Sequence, residues 1–145
     1  MIFISFFYYW FMLSSHLTTT GSLEIQMNNV ESKEGMIRFA IFDQEEGFRD
    51  QEHPFYDDVV SVKGTDNLSI TVSDLPFGHY TIGTFHDLNN NGVLDRNTLG
   101  IPNEPYAFSN NPTAKWKAPK FKESRFHFTK DQQVVMLELK HWRDR

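Results

Sequence analysis

From residue 23 onward, apolar side chains recur at every second position, and this period limits the possible fold more than any other feature of the chain. Leu23, Ile25 and Met27, for example, alternate with polar residues. Such alternation is typical of a strand with one buried face, and no window carries the 3.6-residue stripe of an amphipathic helix. The candidate strands are 23–27, 37–41, 59–62, 68–72, 80–84, 126–128 and 135–139.

Seven short strands without helices predict an all-β domain. We expect a seven-stranded antiparallel sandwich of two sheets, Ig-like or transthyretin-like, with Greek-key connections. A small barrel is the alternative. Two stretches lack the alternation: residues 44–58 are polar, and residues 87–120 are rich in Asn and Pro. The second would be a long loop between strands five and six, and a loop of that length in a compact domain needs a functional or organising cause.

The first 21 residues differ from the rest. Ile2–Leu13 is apolar or aromatic apart from one serine, and small or polar residues follow it. The run is shorter than the roughly 20 residues of a membrane span and is typical of a secretory signal, although no Lys or Arg precedes it. We predict a signal peptide at 1–21, cleaved after Ser15 or near Gly21, and a β-sandwich domain at 22–145. A buried strand and an uncleaved anchor are the alternatives.

Charge and cysteine content narrow the possible partners. The formal net charge of −5 disfavours nucleic acid, whose phosphates require a basic surface. The chain contains no cysteine, so disulfides, thiolate metal sites and cysteine nucleophiles are excluded. We predict a secreted or periplasmic protein that has no membrane span once the signal is removed.

The segment Asp87–Asp95 resembles the front of a calcium-binding loop. Oxygen-bearing side chains stand at relative positions 1, 3, 5 and 9, and Gly92 stands at position 6. Calcium requires six to eight oxygen ligands, and alternate residues of a tightly curled loop direct their oxygens to one centre. The predicted ligands are Asp87, Asn89, Asn91, the backbone carbonyl of Val93, Asp95 and Glu104.

The last of these ligands replaces a missing one. Position 12 of the loop, where calcium loops carry a bidentate Glu, is Thr98. Glu104 is the nearest downstream carboxylate, and we predict that the chain folds back to deliver it. Affinity would be moderate, which is sufficient outside the cell. The alternative is a plain turn, because Asn91-Gly92 is also a strong hairpin signal.

Five segments of the chain together resemble a known family. They are Gly35–Phe42, Asp74–Tyr80, His86–Asp95, Leu99–Asn111 and Phe121–Phe126. Over about residues 22–140 the chain resembles an uncharacterised family of secreted bacterial proteins, domain of unknown function 2141. The resemblance implies an exported sandwich, similar to transthyretin-like and carboxypeptidase-regulatory domains, with Phe121–Phe126 as its penultimate strand. It implies no activity. Ala107 stands where that family tends to have glycine, which leaves a turn there in question.

These observations predict a non-enzymatic module with a structural or ligand-binding role. Its partner would be an unidentified protein or a carbohydrate, since aromatic residues of the long loop could stack on sugar rings or hold a peptide. One alternative is a hydrolase of glycans or esters that uses His86, Asp87 or Glu104. Another is an adhesive or assembly subunit that uses an exposed strand edge. The six histidines show no zinc-binding spacing.

Overall fold

The computed structural model is a sandwich of two sheets, which confirms the predicted fold class. The structure describes residues 19–31, 34–62, 64, 66–113 and 117–145, so most of the predicted signal peptide lies outside the described residues. The strands are β1 Thr20–Asn28, β2 Met36–Phe42, β3 Tyr56–Ser61, β4 Asn67–Pro76, β5 Gly78–Asp87, β6 Tyr106–Phe108, β7 Phe126–Phe128 and β8 Gln133–Glu138. Two short helices, α1 Glu45–Asp50 and α2 Phe121–Ser124, and a 3₁₀ turn, Trp142–Asp144, accompany them.

One sheet has three strands in the order β4-β1-β8. The other has the order β3-β2-β5, and the far edge of β5 is shared by two short strands. β7 pairs with Gly78–Tyr80, and β6 pairs with Gly83–Phe85. β1 and β8 run parallel, whereas we expected antiparallel pairs throughout. The remaining strand pairs of the described residues are antiparallel.

The alternating side chains fill the space between the two sheets, as the two-residue period requires. Leu23, Ile25 and Met27 of β1 are fully buried there and pack with Ile37 and Ile82 from the opposite sheet. Burial of each such side chain contributes about 1.5–3 kcal/mol. The predicted strands therefore all occur, because each one brings an apolar row to this interior.

Four local predictions are corrected by the structure. β6 interrupts the predicted 87–120 loop, and α1 occupies part of the polar 44–58 stretch. α2 is helical where the family resemblance implied a strand, so the penultimate strand begins only at Phe126. Ala107 lies within β6 and faces the core rather than forming a turn. These elements are three to six residues long, which is too short for a periodic pattern to show.

The beginning of β1 bears on the predicted domain boundary. Thr20 and Gly21 pair with Pro76 and Leu75 of β4, so they belong to the sheet. Cleavage near Gly21 would remove the first two residues of β1, whereas cleavage after Ser15 would leave the strand complete. No helix among the described residues is long and apolar enough to cross a membrane.

A second, smaller cluster lies on the outer face of the five-stranded sheet. α1 and α2 pack there through a group of phenylalanine rings. The ring of Phe48 meets those of Phe42, Phe108 and Phe121 edge-on, at centroid distances of 5.7, 5.8 and 6.0 Å. The cluster covers only one end of this outer face, and the rest of the face carries the site described below.

Candidate functional site

The last two residues of β5 face opposite sides of the sheet. His86 points into the sandwich interior, where it is fully buried. Its Nε2 lies 2.8 Å from the carbonyl oxygen of Glu34, and its Nδ1 has no hydrogen-bond partner. Gly35 lies against this strand end, since a Cβ there would be 2.6 Å from the Asp87 carbonyl oxygen. The neighbouring Asp87 side chain is also fully buried, but on the outer face.

Asp87 is held by three N–H donors. The Arg38 Nε donates to Oδ2 over 2.7 Å, and the backbone N–H of Gly92 donates to the same oxygen over 2.9 Å. The backbone N–H of Asn91 donates to Oδ1 over 3.0 Å. Burial alone would raise the pKa of Asp87, but the Arg38 bond and these backbone donors, with the Arg38 charge, lower its pKa below the usual value. The loop therefore closes around an ionised carboxylate.

Gly92 meets a specific backbone requirement in this closure. Its φ is +87°, in the left-handed region that L side chains rarely adopt. In that conformation the Gly92 N–H points at Asp87, and the absent side chain leaves the Arg38 Nη2 close by. The Gly predicted at position 6 for a sharp turn thus serves that purpose.

Glu104 braces the loop from the other side. It is only 3% exposed. Its Oε1 accepts the N–H of Leu88 over 2.8 Å, and its Oε2 accepts the N–H of Asp95 over 3.1 Å. The chain returns beside β5, where the His86 N–H donates to the Pro105 carbonyl over 2.9 Å. Glu104 therefore lies against this loop, and its role as a calcium ligand stays a prediction.

The remaining predicted ligands contact one another at the surface of the loop. The Asn91 Nδ2 lies 3.0 Å from both carboxylate oxygens of Asp95, and the Asn89 Nδ2 lies 2.6 Å from Oδ2. The two amide oxygens accept backbone N–H groups two residues further on, Asn91 N–H at 3.1 Å and Val93 N–H at 2.9 Å. Such Asx turns shape a loop without any added group.

The structure thus connects five of the predicted ligands through hydrogen bonds within the loop, namely Asp87, Asn89, Asn91, Asp95 and Glu104, and Val93 takes part through its N–H. In this arrangement their side-chain oxygens accept N–H groups, and the cation that faces Asp87 is Arg38. Among the described residues, no group of three or more His, Cys, Asp and Glu side chains is placed to hold a metal ion. Calcium binding stays a prediction.

The loop forms one wall of a groove on the outer face of the five-stranded sheet, which we call the outer groove. It encloses about 680 Å³, a volume typical of ligand sites. Its floor lies over Ala40 and Gly83, which are paired neighbours on β2 and β5. Its lining includes Arg38, Ala40, Asp57, Val59, Gly83, Phe85, Val93, Arg96 and Phe108. A smaller groove of about 400 Å³ shares Arg96 and Phe108 with it.

Sequence reasoning missed the residues that build this groove. Arg38, Ala40 and Gly83 lie on two strands far apart in the sequence, and none belongs to a recognisable motif. One signal was present: Arg38 is the only charged residue in β2, on the face that alternation assigns to the outside. The role of Arg38 as the partner of Asp87 emerges only from the pairing of β2 with β5.

The three residues of the hydrolase alternative do not converge on a pocket. His86 faces the interior and Asp87 faces the opposite side of the sheet. The oxygens of Asp87 and Glu104 are already bonded to N–H donors, and neither groove is lined by any of the three.

Comparison with known proteins gives one match. A family model described as an uncharacterized protein conserved in bacteria (DUF2141) matches residues 25–136, most of the chain. That interval runs from β1 to β8 and includes the loop, Glu104 and the outer groove. No curated protein and no solved structure matches the chain.

Proposed function

This chain belongs to the bacterial DUF2141 family, and on that premise we propose that it is an exported, non-enzymatic module that binds a ligand in the outer groove. Export is supported by the apolar run Ile2–Leu13 at the N-terminus. The absence of cysteine is compatible with any compartment. The module has a preformed sheet as its platform and the braced Asp87–Asp95 loop as a wall.

The observation that carries the proposal is the hollow over Ala40 and Gly83. Both residues are half-buried at the margin of the phenylalanine cluster, and because they carry a small side chain or none, a hollow remains between that cluster and the loop. Small residues at the centre of a sheet face, with large residues around them, produce a concave surface. Ligand sites are typically such concavities with a mostly apolar lining and a few polar groups.

The lining favours a short carbohydrate. Phe85 and Phe108 are half-buried and offer apolar ring surface to the groove. Arg38, Arg96 and Asp57 place charged hydrogen-bonding groups around it. A sugar ring combines an apolar face, which packs on aromatic rings, with hydroxyls that bond to charged planar groups. A peptide segment is the competing ligand, and the experiment separates the two.

Gly83→Leu is the variant that tests the groove. Gly83 has ordinary strand geometry, and a Cβ there would lie 3.6 Å from the Phe108 ring, which is normal contact. A leucine should therefore fill the groove without straining β5. We expect oligosaccharides from a soluble panel to bind the wild-type protein in calorimetry, and Gly83→Leu to weaken that binding at least tenfold.

Gln26→Leu is the matched control, because it adds a similar side chain to β1 in the other sheet. It should leave binding unchanged. Equal affinity of Gly83→Leu and wild type would contradict the proposal. Binding of peptides but of no oligosaccharide would replace carbohydrate by a protein segment as the ligand.

Calcium binding at the loop is the second candidate, and the convergence of Asn89, Asn91 and Asp95 favours it. If the side-chain amides of Asn89 and Asn91 rotated by half a turn, each would direct its oxygen instead of its nitrogen toward the Asp95 carboxylate. Those oxygens repel one another unless a cation lies between them, so calcium would supply the missing charge. Asp87 would contribute only if Arg38 moved aside, because the guanidinium already occupies that position.

Calcium binding at the loop can be tested by measuring the melting temperature. Extracellular calcium sites have dissociation constants of about 10⁻⁴–10⁻³ M, and calcium at ten times that constant would add about 1.4 kcal/mol of stability. Asp95→Asn should abolish the gain, whereas Asp57→Asn, an exposed carboxylate of β3, should keep it. Identical melting curves with calcium and with chelator would exclude a calcium site at the loop.

A further inference from the structure

The four edges of the two sheets are protected to very different degrees, and this contrast indicates an interaction surface. An uncovered strand edge offers free N–H and C=O groups to any incoming strand. On one side of the sandwich the edge strands are β8 and the pair β6 and β7. On the other side they are β3 and β4. Three of these four edges are protected, either by hydrogen bonds or by charged side chains.

The first side is closed by hydrogen bonds between the sheets. Tyr106 and Lys140 exchange both backbone hydrogen bonds, at 3.1 and 3.2 Å. The Asn111 side chain acts like a further strand residue, because it donates to the Met136 carbonyl over 3.0 Å and accepts the Glu138 N–H over 2.8 Å. The edge of β8 is therefore occupied along much of its length.

The β7 edge is joined to β8 through one glutamine. Gln133 Nε2 donates to the His127 carbonyl over 2.9 Å, and Gln133 Oε1 accepts the Thr129 N–H over 3.0 Å.

On the second side, β3 carries two adjacent carboxylates, Asp57 and Asp58, and the Asp58 Oδ1 accepts the N–H of Val59 over 2.7 Å. Charged residues on an edge repel incoming strands.

The first half of β4, from Leu68 to Val72, carries none of these protections. It pairs with β1 alone among the described residues. From Leu68 to Val72 it runs in regular register with β1 and bears no charge or proline. Its outward side chains there are Ser69 and Thr71, which are small and neutral. A regular, uncharged edge of this kind is the arrangement that natural monomers avoid.

The core beneath β4 is also incompletely covered. The inward residues Leu68 and Ile70 are only half-buried, and so are Tyr56 and Val60 on the adjacent β3. On the closed side, by contrast, Leu137 of β8 is fully buried. Within the part of the chain that the structure describes, this side thus exposes both unpaired backbone of β4 and the rim of the apolar interior, and one added strand would cover both.

We propose that β4 is the dimer interface of this protein, where a second copy adds its own β4 antiparallel about a two-fold axis at Ile70. Opposed residues of an antiparallel pair share a face. With Ile70 opposite itself, Leu68 meets Val72 of the second copy on the inner face, and Ser69 meets Thr71 on the outer face. The two sheets join into one of six strands, and both outer grooves remain open.

The second copy fits this edge better than a foreign strand of arbitrary sequence. Its β4 brings apolar side chains opposite the half-buried Leu68 and Ile70, and it brings no charge to the uncharged stretch. The ladder ends where Asp74 has a positive φ of 57° and the register with β1 shifts. The dimer is independent of the proposed ligand, because the groove lies on the other sheet.

Two matched variants test the register. Ser69→Lys with Thr71→Lys places lysine opposite lysine twice across the axis, whereas Ser69→Glu with Thr71→Lys places opposite charges there. Both variants keep a lysine at position 71 beside Glu24 of β1, and both remove the Ser69 hydroxyl that donates to Glu24 over 2.7 Å. The folded stability of each monomer is measured alongside its association. Like charges directly opposite each other are destabilising, and we expect the two Lys–Lys pairs to weaken association about tenfold, which is about 1.4 kcal/mol.

Sedimentation equilibrium on the purified protein, in the form that its host produces, distinguishes these outcomes. We expect the wild type and the Glu/Lys variant to dimerise, the Lys/Lys variant to dissociate, and Met136→Lys on β8 to dimerise like wild type. A wild type that stays monomeric at all concentrations overturns the proposal and leaves the edge to a strand of another protein. Equal association of the Lys/Lys and Glu/Lys variants also overturns it.

Discussion

The interior between the two sheets and the Asp87–Asp95 loop are held by different forces. In the interior, apolar residues such as Ile25 and Ile82 exclude water, and the stabilisation depends on buried area. In the loop, buried carboxylates of Asp87 and Glu104 accept N–H groups from the backbone and from Arg38. A change of pH therefore acts on the loop through the Asp87 carboxylate, whereas the stabilisation by the apolar rows of the interior depends on how well they pack.

The largest expected effect comes from the interior. Ile25 is fully buried in the central strand of the three-stranded sheet. We expect Ile25→Ala to lower the free energy of unfolding by about 2–5 kcal/mol, because it removes buried apolar surface and leaves a cavity. Denaturant titration at pH 7 and at pH 4 measures it. If the free energy of unfolding lost in Ile25→Ala changed strongly with pH, the interior and the loop would not differ in their response to pH.

The next effect comes from the charge in the loop. Asp87→Ala leaves Arg38 without its carboxylate and the N–H groups of Gly92 and Asn91 without an acceptor. We expect a loss of about 3 kcal/mol, since removing one partner of a buried ion pair leaves uncompensated polar groups. Arg38→Met should also cost stability, because it leaves the fully buried Asp87 carboxylate with only its two backbone donors. Additive losses in the double variant would contradict a direct coupling between the two residues.

A smaller effect is expected on acidification. Because the folded pKa of Asp87 is lowered, its contribution is fully present above the unfolded pKa of about 3.9 and is lost as the pH falls through the lower folded pKa. Asp87→Asn removes this dependence. Between about pH 5 and pH 2, we expect the wild type to lose more stability than the variant in parallel denaturation series. Parallel curves would show that Asp87 does not titrate differently in the folded protein.

The loop also shows how far its residues were predictable. The spacing of Asp87, Asn89, Asn91 and Asp95 marked the segment, because local side-chain contacts within nine residues follow from short-range geometry. Glu104 was predictable only as the nearest carboxylate. Arg38 was not, because its contact with Asp87 depends on the register of β2 against β5 across 49 positions of the sequence.

The fold divides in the same way. The candidate strands appear in the structure because each carries a local two-residue alternation. β6, α1 and α2 escaped prediction, since they are short and are stabilised by partners distant in the chain. β6 is held by its pairing with β5, and α1 and α2 are held by packing in the phenylalanine cluster.

The sequence alone determined that this protein buries alternating apolar rows in a two-sheet sandwich and that Asp87–Asp95 forms a structured polar loop. Both properties depend on neighbouring residues, whose spacing is visible in the chain. The tertiary structure alone decided that Arg38 faces Asp87, that Ala40 and Gly83 leave a groove, and that β4 has an open edge. These features arise from strand order and register, and a one-residue shift in register would exchange the faces on which every one of these side chains lies.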